Sequence, residues 1–140
     1  MFSRGVTEFS PISIGCNQKN LRRGDKSLLV LSLGIPEGYH IQANMPAEDF
    51  FVPMELIFKA AEGLSIGEPF FPEPQPGEVE WSEVKLLTYG GTIQVAVPIE
   101  VAAEKDGPVE LRGCLSFQGC TESRCLPPAK QDFVLALEIN

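Results

Sequence analysis

The sequence contains little positive charge and no long apolar run. Lys and Arg number 11 against 19 Asp and Glu, so the formal net charge at pH 7 is −8. A surface this acidic repels the phosphates of nucleic acids and the headgroups of anionic lipids, which argues against both as partners. No apolar stretch approaches the ~20 residues that a membrane-spanning helix requires.

A targeting signal is also missing from the opening MFSRGVTEFS, which lacks the apolar segment of a signal peptide. Either the chain is cytosolic or a leader has been removed from it. The 4 cysteines permit disulfides without proving an oxidising compartment. The 140 residues favour one domain, 1–140, which is long enough to bury a core without cross-links.

Helical patterns are scarce, whereas alternation of apolar and polar residues is common. Alternation runs through TIQVAVPIEV (92–101), VELRGCLSF (109–117) and DFVLALEI (132–139), as is typical of half-buried strands. Weaker strand candidates are SLLVLSLG (27–34), YHIQA (39–43) and VPMELIFKA (52–60). With 12 Pro and 13 Gly between such short segments, the sequence predicts an all-β sandwich.

Two proline features refine this prediction. Pro98 interrupts an otherwise regular strand pattern and cannot donate a backbone hydrogen bond, so that strand is predicted to lie at a sheet edge or to be bulged. The acidic segment GEPFFPEPQPGEVE (67–80) is predicted to be a semi-rigid surface loop, because its four prolines prevent a central strand.

The pair in CTESRC, Cys120 and Cys125, has three interpretations. As a structural staple it is weak, because closing a loop of six residues removes about 2 kcal/mol of unfolded-state freedom, whereas a loop near 100 residues removes close to 5. A bridge between Cys16 and Cys114 would be the stronger staple.

Metal binding is the second interpretation, since the spacing of the pair lies at the loose end of that found in structural zinc sites. However, Cys16, Cys114 and His40 form no second ligand motif. His40 with Met45 and Met54 offers soft ligands for copper, although such residues more often pack in a core. The sequence therefore predicts neither a metal site nor a cofactor.

Redox exchange is the third interpretation. The pair follows a predicted strand end and precedes Pro127 and Pro128, so it is predicted to lie at an exposed hairpin tip. Thiol–disulfide exchange needs an accessible sulfur and a nearby thiol that resolves the mixed disulfide, and an exposed pair meets both conditions.

The stretch SFQGCTESRCLPPAK (116–130) resembles the active-site segment of the N-terminal periplasmic domain of the DsbD thiol:disulfide interchange family. Upstream, IPEGYHIQANMP (35–46), FVPMELIF (51–58) and FFPEP (70–74) are similar to segments of the same family, and the likeness extends from Val6 to Ile139.

This resemblance implies an immunoglobulin-like antiparallel β-sandwich with the cysteines on a hairpin between two late strands. It implies a thiol:disulfide oxidoreductase that acts in the periplasm without a cofactor, as one domain of an inner-membrane protein. The implied partners have thioredoxin folds: the C-terminal domain of the same protein as donor, with periplasmic disulfide isomerases and thioredoxin-like cytochrome c maturation proteins as acceptors. Cys125 would attack the partner and Cys120 would resolve the mixed disulfide.

The resemblance also implies an aromatic cap over the pair. Trp81 lies near the corresponding position, with Phe70 and Phe71 as rivals, and Trp81 packed on the core is an equal alternative. Glu80 is the candidate carboxylate that would raise a thiol pKa by like-charge repulsion.

Tyr39 and His40 are expected on opposite faces of a strand, with Tyr39 packing near the cysteines and His40 as a candidate for proton transfer. Two alternatives to redox exchange stay open. One is an immunoglobulin-like binding module whose disulfide is inert, and the other is a periplasmic metal-binding protein.

Overall fold

The structure, a computed structural model, describes residues 12–46, 51–79, 82–122 and 124–140, with only the backbone described at 76–79 and 82–85. In chain order the strands are β1 (Ser13–Cys16), β2 (Asn20–Leu21), β3 (Lys26–Gly34), β4 (His40–Gln42), β5 (Glu55–Phe58), β6 (Leu64–Ile66), β7 (Gln75–Val79), β8 (Ser82–Tyr89), β9 (Thr92–Val101), β10 (Gly107–Phe117), β11 (Gly119–Cys120) and β12 (Ala129–Ile139).

The strands of the described residues form three sheets. The first has the order β1-β3-β9-β6, the second β2-β12-β10-β5 and the third β11-β4-β8-β7, each with 4 strands. Neighbouring strands run antiparallel except for β2 and β12, which are parallel. The long pairs β3–β9 and β10–β12 form the centres of the first two sheets.

Apolar side chains from the first two sheets meet in one core, to which the third sheet also contributes. Every second residue of β3, β9, β10 and β12 faces inward, as the alternation predicted. Among the most buried are Leu29, Leu31, Val95, Val97, Leu111 and Leu115, each at 0% exposure. The chain is thus the predicted all-β, immunoglobulin-like sandwich.

Pro98 corrects the prediction that its strand lies at a sheet edge or is bulged there, because β9 is internal and its register with β3 is continuous through Pro98. β9 lies between β3 and β6, with Pro98 opposite Leu28 in the register. On its other side Gly67, one residue past the end of β6, donates its N–H to the Pro98 carbonyl at 2.9 Å, and Pro98 has no N–H to return. An internal strand tolerates this proline because the neighbouring strand ends there.

The proline-rich segment also differs from the prediction. Its last part, Gln75–Val79, is the strand β7 rather than loop. Among the described strands, β7 lies at the edge of the third sheet beside β8, and it carries a register shift between Gly77 and Val79. An edge position accommodates Pro76, whereas a central position would not.

A buried glutamine on β12, Gln131, joins the first described residue to the sandwich. Its Nε2 donates to the carbonyl of Ile12 at 2.6 Å, and its Oε1 accepts the Ile12 N–H at 2.8 Å. Both polar atoms of this buried amide are therefore satisfied by one backbone residue.

Within the described ranges, no helix is long and apolar enough to cross a bilayer.

Candidate functional site

The two cysteines of CTESRC form a disulfide in the connection between β10 and β12. Their sulfurs are 1.99 Å apart and their Cα atoms 3.9 Å apart. Cys120 lies on β11, whose backbone pairs with β4, and Cys125 forms an antiparallel bridge on the other side of Cys120. The predicted hairpin placement between two late strands is thus confirmed.

Hydrogen bonds hold this connection in shape independently of the sulfurs. Thr121 N–H donates to the Arg124 carbonyl at 2.7 Å, and Leu126 N–H donates to the Gly119 carbonyl at 2.8 Å. The cysteine pair lies between these bonds, at a non-hydrogen-bonded position, where opposite residues approach most closely. The backbone therefore brings the two sulfurs together.

Gln118 ties the connection to its surroundings. Its Nε2 donates to the Leu126 carbonyl at 3.2 Å, and its Oε1 accepts the Val52 N–H at 2.9 Å. Its backbone carbonyl accepts the Gln42 N–H at 2.9 Å. One residue thereby fixes the chain on both sides of the disulfide.

Burial of the pair is asymmetric, and this corrects the predicted exposed tip. Cys120 is only 1% exposed, whereas Cys125 is half-buried. Cys120 lies on β11, which pairs with β4, and its sulfur contacts the buried side chain of Gln42 on that strand. Cys125 is therefore the cysteine of the pair that solvent reaches.

The side chain of Gln42 contacts the disulfide. Its Nε2 donates to the sulfur of Cys120 at 3.3 Å and lies 3.8 Å from that of Cys125. The side chain has 0% exposure. Its Oε1 has no hydrogen-bond partner among the residues that the structure describes.

Aromatic residues cover the adjacent part of the third sheet. Phe71 stacks on Tyr89 with ring centroids 6.4 Å apart, and the Tyr89 hydroxyl lies 2.8 Å from Asn44 Oδ1 and 3.0 Å from the Pro72 carbonyl. Burial raises the pKa of Tyr89, and hydrogen bonding from the backbone of Asn44 opposes that rise. Tyr89 is paired in register with Ile41, the neighbour of Gln42, so alternation directs it to the face opposite Gln42.

The remaining predicted site residues fall into two groups. Tyr39 is partly buried against the core and His40 is exposed, in the expected opposite orientations. His40 is also the register partner of Cys120. Glu80 and Trp81 lie outside the described residues, so the cap and the nearby carboxylate stay predictions, as does the cap role of Phe71.

Cys16 and Cys114 are free thiols, so the bridge between them is not formed. Burial raises the pKa of the Cys114 thiol, and a hydrogen bond and negative charge from Asp132 raise it further. The Cys16 thiol donates to the Gln18 carbonyl at 3.2 Å. Within the described ranges, no three His, Cys, Asp or Glu side chains cluster as a metal site would require.

Sequence reasoning missed Gln42 as a site residue. In YHIQA the alternating pattern predicts only that Ile41 and Gln42 face opposite sides of a strand. Both are 0% exposed, because β4 is covered on both faces. The available signal was the presence of Gln42 within GYHIQ, one of the segments that resembles the DsbD family.

Comparison with known proteins agrees with this geometry. The family model described as "Thiol:disulfide interchange protein DsbD, N-terminal" matches residues 16–137. The thiol:disulfide interchange protein DsbD of Pseudoalteromonas atlantica is 29% identical over 86 residues, which are 61% of this chain and 14% of that protein. The chain therefore corresponds to a small part of that relative.

Two solved structures share the fold. The N-terminal domain of Neisseria meningitidis DsbD in the reduced form is 24% identical with a TM-score of 0.50, over 79% of this chain and 77% of that one. The N-terminal periplasmic domain of ScsB from Proteus mirabilis is 15% identical with a TM-score of 0.61, over 94% of this chain and 47% of that one. With a family match across most of its length, the chain belongs to the DsbD N-terminal family.

Proposed function

We propose that this domain is a periplasmic thiol:disulfide oxidoreductase that passes electrons to other proteins through Cys120 and Cys125. Family membership and the disulfide support exchange chemistry. The asymmetric burial of the two cysteines carries the finer proposal, because it distinguishes an attacking residue from a resolving one. The periplasmic location rests on the resemblance and on the description of the ScsB relative.

The chemistry runs in two exchanges. In the reduced domain, the Cys125 thiolate attacks a partner disulfide, and one partner sulfur leaves as a thiolate and takes up a proton. The Cys120 thiolate then attacks the Cys125 sulfur, and the second partner sulfur leaves in the same way. The partner gains two electrons and two protons, and the domain retains the Cys120–Cys125 disulfide.

Access favours these roles. Exchange requires the incoming sulfur, the attacked sulfur and the leaving sulfur to align, so the attacked residue needs an open side. Half-buried Cys125 meets this need better than Cys120 at 1% exposure. Buried Cys120 is instead protected from outside thiols while remaining beside Cys125, as a resolving thiol must.

The hydrogen bonds around the pair support reversible exchange. Because the bonds of Thr121, Leu126 and Gln118 do not involve the sulfurs, the connection should keep its shape when the disulfide is reduced. The two thiols then stay close and reclosure is effectively unimolecular. A disulfide that served only as a structural staple would add little here, because the same hydrogen bonds already hold the loop.

The partners we propose have thioredoxin folds. The donor is the C-terminal domain of a larger membrane protein to which this domain belongs, and the acceptors are periplasmic disulfide isomerases and thioredoxin-like cytochrome c maturation proteins. A cap over the pair, with Trp81 as first candidate, would limit access until a partner displaces it.

Trapping of the mixed disulfide tests the proposal. In a background with Cys16→Ser and Cys114→Ser, the Cys120→Ser protein should form a stable mixed disulfide with an oxidised thioredoxin-fold partner through Cys125. The matched Cys125→Ser protein should form little or none, because its remaining thiol is buried. Non-reducing electrophoresis and mass spectrometry identify the bonded residue.

Equal trapping by both variants would contradict the assigned roles, and failure of both would contradict exchange itself. The inert-disulfide alternative is tested by equilibrating the wild-type pair with glutathione. A reduction potential below about −300 mV, with no mixed disulfide, would favour a structural staple.

A further inference from the structure

The side-chain amide of Gln42 lies beside the Cys120–Cys125 disulfide, and only one of its two polar atoms has a hydrogen-bond partner among the described residues. Its Nε2 faces both sulfurs, at 3.3 Å and 3.8 Å, while its Oε1 is buried without a partner among the described residues. Buried polar atoms normally find a partner, and those that do not call for an explanation. The orientation follows from the oxidised state, because disulfide sulfurs carry no hydrogen and can only accept.

Reduction changes what the sulfurs can do. A thiol donates an S–H hydrogen as well as accepting, and a thiolate accepts more strongly than a disulfide sulfur does. An amide has a donor group, the NH2, and an acceptor, the carbonyl oxygen, so it matches a thiol and a thiolate better than it matches a disulfide. The oxygen that has no partner in the oxidised state thereby gains one.

We propose that Gln42 is a positioning residue that stabilises the reduced pair. On rotation of its amide, Oε1 accepts the S–H hydrogen of Cys120, and Nε2 donates to the sulfur of Cys125. The inference rests on the proposed function, since it concerns a pair that cycles between disulfide and dithiol. Gln42 makes the pair easier to reduce and holds the resolving thiol beside the attacking one.

Substitution of Gln42 should shift the redox equilibrium. Gln42→Met keeps the approximate volume and removes both polar atoms. Equilibrated with reduced and oxidised glutathione, it should favour the disulfide about fivefold more than wild type does, given ~1 kcal/mol for the one hydrogen bond gained on reduction. For a two-electron couple, fivefold corresponds to a potential lower by ~20 mV.

A second readout concerns the attacking thiol. In the reduced protein, the pH profile of Cys125 alkylation should move to higher pH in Gln42→Met, because the thiolate loses a donor. Gln42→Glu should move it at least as far, since a carboxylate beside the thiolate adds repulsion. A packing role alone would leave the Gln42→Met profile at the wild-type position, whereas Gln42→Glu would shift its profile in either case.

Gln131→Met is the matched control, because Gln131 is also buried but bonds Ile12 rather than the sulfurs. It should lower stability and leave the glutathione equilibrium unchanged. An unchanged equilibrium and pH profile in Gln42→Met, or an equal shift in Gln131→Met, would overturn the inference and leave the proposed function standing. A wild-type pair that never equilibrates would overturn the proposed function itself.

Discussion

Two buried glutamines show how the same side chain serves different ends in this domain. Gln131 is 9% exposed and Gln42 is 0% exposed, so both amides are withdrawn from water. Gln131 satisfies both its polar atoms on the backbone of Ile12. Among the residues that the structure describes, only the side-chain nitrogen of Gln42 has a hydrogen-bond partner, and that partner is a sulfur.

The difference lies in what each amide faces. A backbone residue offers one donor and one acceptor in every state of the protein. The hydrogen bonds of the Gln131 amide are therefore the same in both redox states. A disulfide offers only acceptors, so it cannot donate a hydrogen bond to the Oε1 of Gln42 in the oxidised protein. A fully satisfied buried amide indicates a structural role, whereas a half-satisfied one beside a reactive bond indicates a role in the other redox state.

The largest expected effect belongs to Gln131. In Gln131→Ala the N–H and carbonyl of Ile12 lose their partners in a buried position, so the free energy of unfolding should fall by about 3 kcal/mol. Urea denaturation of the oxidised protein measures this. Exposed Gln94 on β9 supplies the control, and Gln94→Ala should stay within about 0.5 kcal/mol of wild type. A comparable loss in both variants would show that the amide of Gln131 is not structural.

A buried hydroxyl provides an intermediate case. Tyr89→Phe keeps the ring that stacks on Phe71 and removes the donor to Asn44 and Pro72. Because burial raises the pKa of Tyr89, the hydroxyl remains a neutral donor through neutral pH. The expected loss of unfolding free energy is about 1 kcal/mol, measured by the same denaturation. No change would mean that water replaces the lost hydroxyl fully.

Gln42→Met should have the smallest effect on the stability of the oxidised protein, a change of less than about 1 kcal/mol in the free energy of unfolding. It removes a weak bond to sulfur, but it also removes a buried oxygen that has no described partner. In the reduced protein the same substitution should cost more than in the oxidised one. Denaturation with and without reductant measures this difference, and an equal cost in both states would contradict a redox-linked role.

Much of the sandwich could be predicted from sequence because its long strands have one buried face. The alternation in TIQVAVPIEV and VELRGCLSF reports that face directly. Strand order is a non-local property, and so the edge placement drawn from Pro98 was wrong. The neighbouring strand β6 ends at Ile66, opposite that proline and distant from it in the sequence.

The site was predicted in part for the same reason. The close spacing of Cys120 and Cys125 is local and marked the pair, but the contact between Cys120 and Gln42 brings together β11 and β4, which are distant in the sequence. Gln42 was missed because β4 is covered on both faces, so alternation carries no information about which side chains are exposed. Contacts between distant strands thus decide which polar residue faces the sulfurs.

The free thiol of Cys114 is a further polar group whose surroundings change its chemistry. Burial raises its pKa, and the hydrogen bond and charge of Asp132 raise it further, so the thiol holds its proton to higher pH in the folded chain than in the unfolded one. The protonated thiol therefore adds stability below the unfolded pKa, and this contribution is lost as pH rises through the folded value.

Asp132→Asn removes the charge and should lower the pKa of Cys114, so alkylation by iodoacetamide near pH 8 should become faster, by less than about tenfold. Mass spectrometry measures modification of Cys114 against Cys16, a free thiol on β1 whose rate should not change. A slower rate at Cys114 would contradict the assigned influence of Asp132. An equal acceleration at both thiols would indicate general loosening of the fold, and the environment of Cys114 would then lack the specificity inferred for it.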